Sequence, residues 1–347
     1  MKKTLTASGA LLAALILTAC SAGTAATVST PSPSTTPAVV TSAPAPDPVT
    51  ISIASLKGPT TMGLVGLMDD AANGTAAEDY QVSMYASPDE VVPLVAQGSV
   101  DMALIPSNLA AVLYAKTKDT DAQISVLAIN TLGVLNIVES GDAVQSIADL
   151  KGKTVYLTGK GASPEYVMNY LLTQAGLTPG VDVDLQFLSE HTEVVAKLTA
   201  TPGAIGVLPQ PFVTIAEAKS ADLRTALDLT AEWAKVSPDS QLITGVVVVR
   251  NAFATEHPDA VAQFMTDYAA STAWVNAKPA DAAPLIVAAG IVPDPALAEK
   301  AIPLCYITFV DGADMKSSLS GYLTVLFNAD PKSVGGTMPG DDFYFAG

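Results

Sequence analysis

The stretch KTVYLTGKGASPEYVMNYLL, residues 153–172, decides the fold. Lys153–Leu157 has the β-branched, alternating character of a strand. Thr158-Gly159-Lys160-Gly161-Ala162-Ser163 is a glycine turn. Pro164 then stands where a helix tolerates proline best, at its start, and Tyr166, Met168, Leu171 and Leu172 continue a helical face. Downstream, Val183–Phe187 reads as a strand, Glu193–Leu198 as a helix and Ala204–Leu208 as a third strand, stopped by Pro209.

The same plan lies upstream. Val49–Ala54 is a strand, Lys57-Gly58-Pro59-Thr60-Thr61 a turn, and Met62, Val65 and Met68 a helical run. Tyr80–Tyr85 is a second strand. Ser87-Pro88-Asp89-Glu90 then carries a capping serine, a proline at the first helical position and a glutamate three residues after the cap. Pro93 lies within that helix and is expected to kink it. Met102–Ile105 is the third strand, stopped by Pro106. The strand centres Ile53 and Val82 lie 53 and 24 residues before Pro106, and Val155 and Leu185 lie 54 and 24 residues before Pro209. Two βαβαβ units of equal dimension, each with a small parallel sheet, account for this match.

Two strand-like runs, Ile124–Asn130 and Leu135–Glu139, join at Thr131-Leu132-Gly133 between the units. Gly245–Arg250 is a late strand, and Pro258–Asn276, Ala280–Ala289, Pro295–Ala301 and Met315–Leu326 read as helices. One strand with four helices is too little for a third domain, so this segment is expected to return to the first unit. The expected organisation is an α/β protein of two lobes, 49–138 plus 243–347 and 139–242, with crossings near 136–142 and 232–245 that form a hinge beside a cleft.

The chain has 347 residues, 34 of them acidic and 17 basic, a formal net charge of −17. That balance excludes a nucleic-acid partner, which requires clustered Lys and Arg. Two cysteines and two histidines leave little for a metal site. Neither a G-x-S-x-G elbow nor a G-x-x-x-x-G-K-[ST] phosphate loop is present, and no catalytic residue, metal or cofactor is assigned.

The N-terminus reads as an export signal: Lys2 and Lys3, then a short apolar run from Ala10 to Leu17. Leu17-Thr18-Ala19-Cys20 resembles the lipobox of bacterial lipoproteins. The resemblance implies cleavage after residue 19 and lipid on the Cys20 thiol, which would place the protein outside the cytoplasm on a membrane. Residues 20–48 hold Pro31, Pro33, Pro37, Pro44, Pro46 and Pro48 among Ser, Thr and Ala, an extended tether. Cys305 is then unpaired and expected to be a small buried hydrophobe.

Ile147-Ala148-Asp149-Leu150-Lys151-Gly152-Lys153 resembles the D-L-K-G-K element that opens the second lobe of bacterial ABC-transporter solute-binding proteins. Leu94–Ala103 resembles their L-x-x-G-x-x-D-x-A element, and Pro209-Gln210-Pro211-Phe212 their P-E-P-F turn, with Gln in place of Glu. The likeness is nearest to the nitrate/sulfonate/taurine (NitT/TauT, SsuA-like) branch and its pyrimidine-synthase-like relatives, whose cysteine-rich iron motif is absent here. It implies a type II periplasmic-binding-protein fold, a small-molecule ligand, and ABC permease and ATPase subunits as partners. An extracytoplasmic sensory or enzymatic derivative of the same fold is the alternative.

The glycine turns mark where a ligand is expected. Parallel sheets bring strand C-termini and helix N-termini, with their free N–H groups, to one edge. Lys57, Gly58, Thr60 and Thr61 in one unit, and Thr158, Gly159, Lys160, Gly161 and Ser163 in the other, supply hydroxyls, close backbone approach and a cation each, or serve only as caps and solvated lysines. Ser107, Asn108, Glu190 and Gln210 follow strand ends, and Thr131 lies at the first crossing, so these complete the ligand-binding set. Tyr85 and Tyr166 either stack on a flat ligand or pack. Arg250 is either an anion clamp or a strand-end residue. His191, in Ser189-Glu190-His191-Thr192-Glu193, is a structural or ligand-contacting loop residue, with metal binding and catalysis the alternatives, and His257 caps a helix. Trp233 and Trp274 belong to the core. The anchor reading predicts that Cys20→Ser moves the protein from the membrane fraction to the soluble one; a variant that still pellets with membranes refutes it.

Overall fold

The longest apolar runs become the central strands of two sheets. The computed structural model describes residues 47–346; the signal segment 1–19, Cys20 and the tether up to residue 46 lie outside the described residues. The chain begins with β1 (Thr50–Leu56), α1 (Pro59–Met62), α2 (Val65–Ala72), β2 (Asp79–Tyr85), α3 (Pro88–Ala96), β3 (Met102–Pro106), α4 (Ser107–Thr117) and β4 (Ile124–Leu132). It crosses to β5 (Leu135–Ser140), a 3-10 turn, β6 (Thr154–Leu157), α5 (Ser163–Gln174), β7 (Asp184–Phe187), α6 (His191–Ala200), β8 (Ile205–Pro209), α7 (Phe212–Lys219), β9 (Leu223–Asp228) and α8 (Leu229–Val236). It returns through β10 (Ile243–Arg250), α9 (Asn251–Glu256), α10 (Pro258–Ala277), α11 (Pro279–Ala288), α12 (Pro295–Ala301), β11 (Ile307–Val310) and α13 (Gly312–Ala329).

The first sheet has the order β2-β1-β3-β10-β4-β11 and the second β7-β6-β8-β5-β9. Five strands correspond one to one. In each sheet the first two pairings are parallel, and the strand that has just crossed from the other lobe, β10 or β5, pairs antiparallel on both sides. Every residue of β3 and β8 is buried, which is why MALIP and IGVLP read as unbroken apolar runs: helices cover both faces. The capping box expected at Ser87 is present, and α3 continues past Pro93.

The structure moves the first crossing. β5 is paired with β8 from Leu135 and with β9 from Asn136, so the chain changes sheets at Gly133–Val134, upstream of the expected 136–142. It returns between Val236 and Ile243. The two crossings touch: a Cβ on Gly133 would lie 2.2 Å from Thr230 Oγ1 and 3.2 Å from Leu242 Cδ2, so only glycine fits. The late segment contains a second strand between the helices expected at Pro295–Ala301 and Met315–Leu326: β11 pairs with the edge of β4. Trp274 is half-buried rather than fully in the core. His257 precedes α10 without a side-chain cap, its ring packed on Phe253 at 5.0 Å.

Apolar packing joins the lobes. Trp233 of α8 is 1% exposed and sits between Tyr170 of α5 (5.0 Å) and Tyr322 of α13 (5.3 Å), with its Nε1 donating to Ser240 O. Cys305 is buried against Met62, and burial pushes its thiol pKa up, consistent with an inert hydrophobe.

Each sheet is pinned at the end away from the other lobe by a carboxylate and an arginine. Asp101 accepts from Ser52 N (3.0 Å), Ser52 Oγ (2.6 Å) and Arg250 Nη2 (2.9 Å), tying β1, β3 and β10 together. Gly245 pairs with Pro106 at the opposite end of β10, so Arg250 is a structural residue and not a ligand clamp. In the second sheet, Glu139 is 2% exposed and accepts from Ala143 N, Val144 N and Arg224 Nη2 (2.8 Å). Removing that carboxylate strands two backbone donors and a cation. Glu139→Ala is therefore expected to cost about 3 kcal/mol of stability, with Glu139→Gln costing less; urea unfolding of both checks the order.

Candidate functional site

The C-terminal ends of β1 and β3 face those of β6, β7 and β8 across the lobe boundary, and the helices that follow begin there. Three groups of side chains meet along this seam.

The first is a direct bond between lobes. Asn108, at the start of α4, donates through Nδ2 to Gly161 O (3.2 Å) and Ser333 O (3.1 Å). Ser163, at the start of α5, donates to Asn108 Oδ1 (3.1 Å). Asn108 and Ser163 are buried, and the Tyr322 hydroxyl lies enclosed beside Ser163 and Ser107 with no well-formed hydrogen bond. Ser107 itself donates to Ile243 O (2.6 Å), fastening α4 to the second crossing. Gly159 and Gly161 both adopt positive φ, which brings the Thr158–Ser163 turn close to α4.

The second group centres on His191. Its Nδ1 is 2.9 Å from Thr158 Oγ1, and its ring packs 4.7 Å from that of Phe212. Lys57 and Ala86 of the first lobe join Glu190, His191, Thr192 and Phe212 of the second around one small cavity, and Gly58 lies against the Phe212 ring. A larger cavity of about 370 Å³ continues from Lys57 and Phe212 toward Lys219 and Val292. Burial pushes the His191 pKa down from 6.5 to about 4, so the ring is neutral. Glu190 opens α6 and accepts from Thr192 Oγ1 (3.1 Å), so part of its carboxylate is engaged locally.

The third group lies beneath the first turn. Thr60 and Thr61 donate to Leu56 O (2.8 and 2.6 Å), Asn130 Nδ2 donates to Thr60 O (3.3 Å), and Thr131 donates to Asn130 Oδ1 (3.3 Å). Gln210 accepts from Thr214 N and Oγ1 at the head of α7.

The contacts across the seam thus involve Lys57, Gly58, Asn108, Gly161, Ser163 and Glu190, with Thr158 bonded to His191 beside them. The bonds of Thr60, Thr61, Ser107, Thr131 and Gln210 stay within their own lobes, and Gly159 shapes the turn. Lys160 stands apart, exposed, with Nζ 6.0 Å from the Phe187 ring centre. His191, already legible as a structural or ligand-contacting residue, lines the seam, and Phe212, Asn130 and Tyr322 join it without being expected there. His191 and Phe212 sit in motifs the sequence did expose, SEHTE and PQPF; Asn130 and Tyr322 carry no local signal. Among the described residues, no cluster of His, Cys, Asp and Glu has the arrangement of a metal site, and no helix is long and apolar enough to cross a membrane.

Comparison with known structures agrees with this architecture. An ABC transporter structure from Parabacteroides distasonis superposes over 85% of this chain and 98% of its own, at 24% identity and a TM-score of 0.69. The alkanesulfonate-binding protein SsuA from Xanthomonas axonopodis pv. citri, bound to MOPS, matches over 86% and 98% at 16% identity and 0.66. The periplasmic nitrate-binding protein NrtA from Synechocystis PCC 6803 matches over 70% and 66% at 15% identity and 0.55. None of the curated proteins compared matches the chain by sequence. The two α/β lobes have the periplasmic-binding-protein fold. The family model for ABC-transporter phosphonate periplasmic substrate-binding proteins matches residues 67–290, which run through both lobes, and the chain belongs to that family.

Proposed function

We propose that the protein captures a small polar or anionic organic solute in the seam between its lobes and delivers it, unchanged, to an ABC importer, while lipid on Cys20 holds it at the membrane. The observation that carries this reading is that the helix N-termini of α4, α5, α6 and α7 converge from both lobes on one seam. Helix starts carry a partial positive charge, which side-chain caps offset in part at α6 (Glu190, Glu193) and α7 (Gln210). Lys57 adds a full charge beside them. Ligand contacts on both sides of the seam supply the differential affinity that favours the closed arrangement. The described groups need only bind: His191, neutral and hydrogen-bonded to Thr158, orients the pocket wall rather than moving a proton.

The test is a thermal-shift titration with methylphosphonate, ethanesulfonate, taurine and nitrate, the ligand being the compound that raises Tm by mass action and is recovered chemically intact. Thr60→Trp and Ser163→Trp are each expected to weaken its binding at least ~tenfold. Lys57→Met should weaken an anion more than Lys160→Met, because only Lys57 lines the seam cavity. Unchanged affinity in both tryptophan variants removes the seam as the site.

His191 also sets a pH dependence. The folded ring resists protonation down to about 4, whereas the unfolded chain takes up a proton below its ordinary 6.5. Acid therefore favours unfolding, and stability contributed by this group falls as pH drops from about 6.5 to about 4, then levels off. Melting curves across that window should show the fall in the wild type and a flatter profile in His191→Gln.

A further inference from the structure

Outside the seam, a groove of about 570 Å³ runs between α5 and α13. Tyr166, Asn169 and Tyr170 line it from the second lobe, and Val325, Leu326 and Asp330 from the first. Because α13 packs on β4 and α5 follows β6, its two walls belong to different lobes.

The chemistry of this groove is opposite to that of the seam. No Lys, Arg or His lines it. Asp330 supplies a carboxylate held in place by a turn, with Oδ1 accepting from Lys332 N at 2.9 Å. Two tyrosine rings form the facing wall. Tyr170 is fixed by its hydroxyl, 2.7 Å from Ser237 Oγ, and by its packing on Trp233. Tyr166 lies close enough to Asp330 that, after burial itself, this carboxylate is the main influence raising its phenol above its ordinary pKa. Asn169 adds an amide whose Oδ1 is enclosed without a hydrogen-bond partner. Among the described residues, Asp330 is the one charged residue on the groove, so an anion is disfavoured there. An ammonium ion meets a carboxylate, two tyrosine rings, whose electron density attracts a cation, and apolar side chains for its alkyl groups.

We propose that the α5–α13 groove binds a free small organic ammonium ion, with its charge between the Tyr166 and Tyr170 rings and Asp330 and its alkyl groups on Val325 and Leu326. The site is distinct from the seam. Its walls come from both lobes, but none of the residues lining it lines the seam cavities.

Calorimetric titration of the protein with choline chloride and with 3,3-dimethylbutan-1-ol, its neutral isostere, tests this at constant ionic strength. Choline is expected to bind at least ~tenfold more tightly than the alcohol. Tyr166→Leu should lose about tenfold in choline affinity, and Asp330→Asn, which retains an acceptor for the turn, about fivefold. Thr60→Trp, on the seam, should leave choline affinity within about twofold, so this site and the seam stand or fall separately. Equal affinity for choline and the alcohol, no binding at millimolar choline, unchanged affinity in Tyr166→Leu, or loss of choline binding in Thr60→Trp overturns the proposal. If Asp330→Asn does not fold, the Tyr166→Leu comparison decides alone. Sedimentation of the Cys20→Ser protein with phosphatidylcholine vesicles separates a free ion from a lipid headgroup: no pelleting is expected, and pelleting abolished by Tyr166→Leu refutes the free-ligand assignment.

Discussion

Each sheet is built around a strand that arrives from the other lobe. β10 lies between β3 and β4, and β5 between β8 and β9, bonded on both edges. Without β10 the first sheet falls into two pieces, and without β5 so does the second, leaving rows of unpaired N–H and C=O groups inside the protein. The chain must therefore cross twice, and the hinge follows from how the sheets satisfy their backbone. The cleft follows too, because both inserted strands start at the boundary and run outward, turning the helix N-termini of both lobes toward each other.

Polar groups are divided by position along these strands. At the outer ends, Asp101 with Arg250 and Glu139 with Arg224 carry charge, and every contact they make is internal. At the boundary the groups are mostly neutral and small: Thr60, Thr61, Ser107, Asn108, Thr158 and Ser163. These partly buried ion pairs hold firmly because losing either partner leaves a charge with poor solvation, whereas neutral hydroxyls and amides exchange partners at little cost. Rigidity is thus placed away from the boundary, and exchangeable hydrogen bonds on it.

Much of this was legible in the sequence. The first and third strands of the two βαβαβ units are apolar runs ended by prolines or glycine turns, and the spacing of all six strands shows the duplication by itself. The L-x-x-G-x-x-D-x-A element has a physical reading in Asp101, which binds three donors on two other strands. What stayed hidden depended on partners distant in sequence. Leu135–Ser140 is a strand in either lobe by its own composition, and only its pairing with β8 and β9 places the crossing at Gly133. β11 is four residues at a sheet edge, too short for a pattern. Asn108 reads as a helix start, and its bonds to Gly161 and Ser163 span more than fifty residues. Lys160 was matched with Lys57 by its place in the turn, yet its side chain turns outward to Phe187.

The two lobes differ in how the chain assembles them. The second is one uninterrupted stretch, β5 through α8, and contains every strand it needs. The first holds β1 near its N-terminus but waits for β10, then β11 and α13, and is finished only when Phe343 is buried and Tyr344 bridges to Val126. For a polypeptide that leaves a membrane pore N-terminus first, strand β1 emerges early and stays without its completed sheet until almost the last residue has passed. Long-range pairing of this kind slows folding. It also keeps the leading half of the chain open while threading is under way, so the order of residues in this fold suits a protein that must cross a membrane before it folds.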